Sequence, residues 1–277
     1  MPSTGTRITL FARIILWFVA VNALVGAFSL ILFPSQTDTL FFWEIKPPIN
    51  AALFGALYLG GAVTVGWVSY RGIWEQARFL VPILVTAGIF ISLTTLLHLD
   101  RFTAGIKLAY WLLIYVGAPL LAVFIYGYQE RRGANWTIQE PVTHTTRQLA
   151  LITGAVVLLL GMVLLIWPHL VLDYWPWKIS PLMIRIFASW FNAFGVGLLW
   201  FLFERDWTRL RLISYLMMAA AGLDLTMIFL HHADWNSTGL NVWIYCFHLT
   251  AFGLVGFVMQ WLQRKARVAA LNPIVHP

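Results

Sequence analysis

Apolar residues in this chain run continuously instead of alternating with polar ones. Eight stretches do so, near 10–33, 48–69, 79–98, 105–128, 148–168, 182–203, 210–232 and 241–262. Each is long enough to cross roughly 30 Å of hydrocarbon at ~1.5 Å per residue. Continuous runs predict helices, because the strands of a membrane barrel alternate apolar and polar positions. The short gap at 99–104 makes the third and fourth stretches a tight antiparallel pair. Polar residues concentrate between the runs, most of all at 129–147, where Glu140-Pro141 marks a linker.

Composition agrees. The chain is 60% hydrophobic and 10% charged, with a mean hydropathy of +0.79. A soluble domain carries about 25% charged residues. The solvent for most of this chain is therefore lipid. A net charge of +7 would suit a nucleic-acid partner, but the basic residues come in short groups between apolar runs and mark topology instead. Of the 18 Lys and Arg, Lys46, Arg101, Lys107, Lys178 and Arg185 fall on one side, which leaves 18 − 5 = 13 on the other. The richer side also holds both termini, so both are expected in the cytoplasm. Tryptophans cluster at the ends of the runs, as interfacial aromatic belts do. The single Cys246 excludes an internal disulfide framework and Cys-rich metal sites.

The chain also repeats itself at an offset of 134 residues. Pro34 meets Pro168, W-E-I-K-P at 43–47 meets W-K-I-S-P at 177–181, Gly61 meets Gly195 and Arg71 meets Arg205. TTLLHLDR at 94–101 meets IFLHHADW at 228–235, placing His98 on His232 and Asp100 on Asp234. One offset shared by so many positions predicts two four-helix units. Four is even, so the units run parallel. The expected domains are 1–128, a cytoplasmic linker at 129–147, and 148–277 with a basic C-terminal tail. Span 1 aligns with a mid-chain span and is read as structural, not as a cleaved leader.

FFWEIKPP at 41–48 and TLLHLDRF at 95–102 resemble segments of a set of bacterial multi-pass membrane proteins, and WPWKISPL at 175–182 is similar to their second halves. The resemblance covers most of the chain. It implies a multi-pass membrane fold and brings no activity, ligand or catalytic residue.

Each W-x-I-x-P element predicts a short extended segment entering a helix at its proline, with Trp and Ile against the outer interface. His98, His232, Asp100 and Asp234 would lie at the outer surface near helix C-termini, as polar caps or as a metal or proton site. The second unit adds polar pairs seven residues apart: Arg185 with Asn192, Asp224 with His231, and Asn241 with His248. Their first-unit counterparts are mostly apolar, so the fold does not demand them. An aspartate inside a span needs a partner, and Arg185 is the expected one.

The expected function is binding, with transport as its extension, of a small solute, an ion or a lipid head group. The expected site is an outer-facing polar pocket of Arg185, Asn192, Asp224, His231, His232, Asn241 and His248. No cofactor is expected. A membrane-embedded metal-dependent enzyme using the same His and Asp residues is the alternative. A structural or accessory subunit, whose polar pairs only set packing, is the third reading. Phosphate-loop, H-E-x-x-H and C-x-x-C-H signatures are absent. N-S-T at 236–238 matches a glycosylation acceptor by tripeptide alone.

Overall fold

The computed structural model describes residues 5–236 and 239–271. Ser237 and Thr238 of the N-S-T tripeptide, and the end of the C-terminal tail, lie outside them. The described residues form helices and no β-strand, with three isolated antiparallel bridges. Eight helices are long and apolar enough to cross a membrane. They are span 1 (Leu10–Leu32), span 2 (Pro48–Arg71), span 3 (Trp74–Leu97), span 4 (Ile106–Arg131), span 5 (His144–Ile166), span 6 (Pro181–Leu202), span 7 (Trp207–Leu230) and span 8 (Leu240–Ala270).

Local chemistry sets the ends. Thr9 and Thr143 accept hydrogen bonds from the Ala12 and Thr146 amides and so cap spans 1 and 5. Pro48 and Pro181 open spans 2 and 6, where a missing N–H costs nothing. Gly72, at φ +63°, ends span 2 in the left-handed conformation that glycine adopts without a Cβ clash.

Consecutive helices pair, 1 with 2, 3 with 4, 5 with 6 and 7 with 8. The two halves then interlock. Span 3 packs on span 6, and span 7 packs on span 2. Gly197 of span 6 lets Ile83 and Ile213 approach within 3 Å of where a Cβ would stand. Spans 2 and 6 are the most buried, at 72% of their most apolar stretch, against 17% for spans 1 and 4. Span 8 also packs on span 5, whereas spans 1 and 4 have no comparable contact.

Several backbone bonds occur in matched pairs. Ile8 N–H to Gly72 C=O (3.0 Å) and Trp74 N–H to Thr6 C=O (2.9 Å) match Val142 to Arg205 (2.9 Å) and Trp207 to Glu140 (2.7 Å). At the opposite end, Thr103 to Phe42 (2.8 Å) matches Asn236 to Pro176 (3.0 Å). Across these pairs the offset is 134 before Gly72 and 133 from Gly72 onward. His98 caps span 3 and His231 caps span 7.

Residues 133–142 are not a free linker. Asn135 N–H donates to Glu75 (2.7 Å), and the Asn135 and Thr137 carbonyls accept from Arg209 (2.7 and 2.9 Å). Glu204 joins Arg78 (3.4 Å) to Arg209 (3.2 Å), and both guanidiniums sit over Trp136 at 4.3 and 5.6 Å. The W-x-I-x-P elements also differ from expectation. Trp43, Ile45 and Trp177 are buried in the core and not laid on an interface. The Trp177 indole donates to Asn50 Oδ1 (2.8 Å), and the Asn50 amide donates to the Lys46 and Lys178 carbonyls (both 3.0 Å). Trp74, Trp111 and Trp207 are likewise core residues. Among the described residues Trp17, Trp67, Trp136, Trp167, Trp243 and Trp261 are the exposed ones.

Candidate functional site

The polar residues expected to converge in the second half do not. Arg185 donates from Nε to the Leu165 carbonyl (2.9 Å), and its Nη1 lies 2.8 Å from His98 Nε2. Its partner is thus the cap of span 3, from the other half, and not Asp224. Asn192 is buried and donates to the Ala188 carbonyl one turn back (2.9 Å). It packs on Gly161 of span 5, whose missing Cβ would stand 2.9 Å from it. Asp224 is buried on span 7, and its Oδ1 has no hydrogen-bond partner. Asn241 and His248 are exposed, the latter with Nδ1 2.7 Å from the Ile244 carbonyl of its own helix. Seven-residue spacing does put each pair on one face of its helix, but the three faces point to different neighbours.

The surface histidines and aspartates have local partners. His232 Nδ1 lies 3.2 Å from the Phe229 carbonyl, and His231 Nδ1 lies 3.9 Å from Asp234. Asp234 accepts from the Ile49 amide (2.9 Å) and so caps span 2 from the other half. Asp100 pairs with Arg101 (3.1 Å) in the open. Burial, with the Arg185 guanidinium beside it, holds the His98 imidazole below its ordinary pKa of 6.5. Among the described residues no three of His, Cys, Asp and Glu gather closely enough to hold a metal ion.

An apolar space opens in the first half. Spans 1 to 4 enclose an apolar cleft of about 260 Å³, which Trp190 of span 6 and Leu216 of span 7 complete. It occupies the seam where spans 1 and 4 stand apart. Tyr110 of span 4 donates to Asn22 of span 1 across that seam. No charged residue lines the cleft.

Gly195 and Gly61, 134 residues apart, have different surroundings. A Cβ on Gly195 would stand 2.7 Å from the Leu158 side chain and 2.8 Å from its backbone nitrogen, because span 5 is packed hard on span 6. A Cβ on Gly61 would meet nothing within 4 Å, and Gly61 lines the cleft. Span 4 departs from α-geometry beside the same space. Residues Leu113–Gly117 form a π-helical turn, and the Tyr115 carbonyl accepts from Ser92 (2.9 Å). Pro119 nests on Gly88 of span 3, which fixes span 4 to span 3 and away from span 1.

The deepest polar groups in the cleft are the hydroxyls of Tyr58 and Tyr115, which are hydrogen-bonded to each other. Trp190 packs edge-on to Tyr58 with ring centroids 6.1 Å apart. Sequence reasoning missed this group. The available signals were two span-borne tyrosines, the polar Asn22 in an otherwise apolar span, and a glycine with a partner in the repeat but no visible reason of its own.

No family model, curated protein or solved structure matches the chain. The fold and site define a multi-pass helical membrane protein with an intramembrane apolar cleft.

Proposed function

We propose that this protein is a non-enzymatic binding protein of the bacterial plasma membrane, and that its ligand is an apolar molecule held in the cleft of spans 1 to 4. The binding function expected from the sequence is kept, but the site moves from the second half to the first. The ligand changes from a polar solute or head group to a hydrophobic body. Pockets that hold small molecules are concave and mostly apolar, with few polar groups, and this cleft has that character.

One observation carries the reading: spans 1 and 4 stand apart around the cleft, where spans 5 and 8 pack on each other. Packing is the main force between helices in lipid, so an unfilled seam of this size forfeits contacts that span 8 makes with span 5. A ligand filling the seam recovers them. The architecture we propose is two parallel four-helix units about a pseudo-two-fold axis, supported by the matched caps and backbone bonds. Both termini lie in the cytoplasm on this reading, supported by the thirteen-to-five charge split.

Native mass spectrometry of protein released from lipid nanodiscs tests the reading. Wild type retains a hydrophobic molecule, and Gly61→Leu, whose Cβ meets nothing within 4 Å and whose side chain enters the cleft, loses it. Equal retention by both would remove the proposal.

A further inference from the structure

Two polar hydrogens in the cleft have no acceptor, and their number and depth specify what the ligand carries. The Tyr58 and Tyr115 hydroxyls bring two O–H donors to one mutual hydrogen bond. One donor is therefore spare, and no other partner exists for either hydroxyl among the described residues. Both tyrosines are more than nine-tenths buried. The second orphan is the Trp190 indole N–H, shut away from solvent and without an acceptor. All three residues line the cleft, and Trp190 lies against Tyr58. A buried donor left unmade costs about 1–3 kcal/mol, so two such donors side by side, in a space large enough for a guest, call for acceptor atoms.

Depth narrows the guest. Tyr58, Tyr115 and Trp190 are each nine or ten residues from the start of spans 2, 4 and 6. At ~1.5 Å per residue all three stand near 14–15 Å in, close to the middle of the hydrocarbon. Phospholipid ester carbonyls stay near the interface and do not reach that level. The cleft has no charged residue, and a charged group at the bilayer centre is costly, so the group at that depth is neutral. We infer that the ligand is an uncharged lipophilic molecule with a carbonyl oxygen on its ring or chain, of the quinone or ketone class. That oxygen accepts from the Tyr58–Tyr115 pair and from Trp190. No redox step is implied. This inference rests on the cleft being the binding site.

Equilibrium binding to the full chain in nanodiscs tests it, with decylubiquinone as the carbonyl probe and decylbenzene as the probe without oxygen. Wild type should prefer the quinone. Trp190→Phe, and the double change Tyr58→Phe with Tyr115→Phe, should each weaken quinone binding about fivefold, the worth of one hydrogen bond. Neither should alter decylbenzene binding. Removing both hydroxyls together leaves no orphan behind, which guards against a folding defect. Equal affinity for the two probes, unchanged in these variants but abolished by Gly61→Leu, would overturn the carbonyl inference and keep the cleft as the site. Binding of both probes that Gly61→Leu leaves intact would overturn the two together.

Discussion

Arg185 lies 2.8 Å from His98 Nε2 and fastens the second helix of one half to the third helix of the other. The bond needs the imidazole nitrogen as an acceptor, so it exists only while His98 is neutral at that position. Burial and the adjacent guanidinium already favour that state. The unfolded chain takes up the proton near pH ~6.5, whereas the folded chain does so only at lower pH. Stability contributed here is fully present above the unfolded value and is lost as pH falls through the depressed folded one.

The consequence is measurable. Melting temperature in detergent should drop between pH 7 and pH 5 more steeply for wild type than for His98→Gln, which keeps an acceptor but cannot titrate. Identical slopes would show that the bond adds no pH dependence.

At the other end of the molecule, Glu204 joins two buried arginines. Its side chain is 6% exposed, with Arg209 at 5% and Arg78 at 12%. Removing one member of a buried ionic network leaves charge uncompensated, at about 3–5 kcal/mol. Glu204→Gln should therefore lower thermal stability severely. Asp100→Asn, which breaks a pair about 70% exposed on both sides, should change it by less than ~1 kcal/mol. Similar effects for the two would contradict the structural weight assigned to Glu204.

Asp234 caps span 2 through the Ile49 amide, although the two residues come from different halves. Asp234→Ala should cost about 1 kcal/mol, as loss of a cap does. Hydrogen exchange should rise at the start of span 2 and not at the start of span 6, whose cap is its own Ser180. Equal exchange at both starts would count against the cross-half cap.

Orientation can be read by labelling, in a background of Cys246→Ala. A cysteine at exposed Ser35 should react with an impermeant reagent in intact cells, and one at exposed Arg132 should not. Reaction at Arg132 would reverse the proposed topology.

The spans were legible because length and continuous hydropathy are local properties. The prolines at 47–48 and 181 were visible as starts for the same reason, whereas the Thr9 and Thr143 caps were not read. What the sequence did not show is which helix meets which. Seven-residue spacing correctly placed Arg185 and Asn192 on one face. It could not say that this face meets span 3 of the other half above and Gly161 of span 5 below. The offset of 134 sets His98 against His232, whereas the C-terminal caps of spans 3 and 7 are His98 and His231. The cleft was illegible because it depends on how span 4 packs, which is set by its π-turn and by Pro119 against Gly88.

The central claim is that the seam between spans 1 and 4 holds a ligand, while its counterpart between spans 5 and 8 is closed by protein. Density from an experimental structure in nanodiscs, without added ligand, tests it most directly. The account predicts continuous non-protein density inside the Tyr110–Asn22 contact, reaching Tyr58 and Trp190, with none at the seam of spans 5 and 8. Span 4 closed onto span 1, with side chains filling the cleft and no density between them, would contradict it.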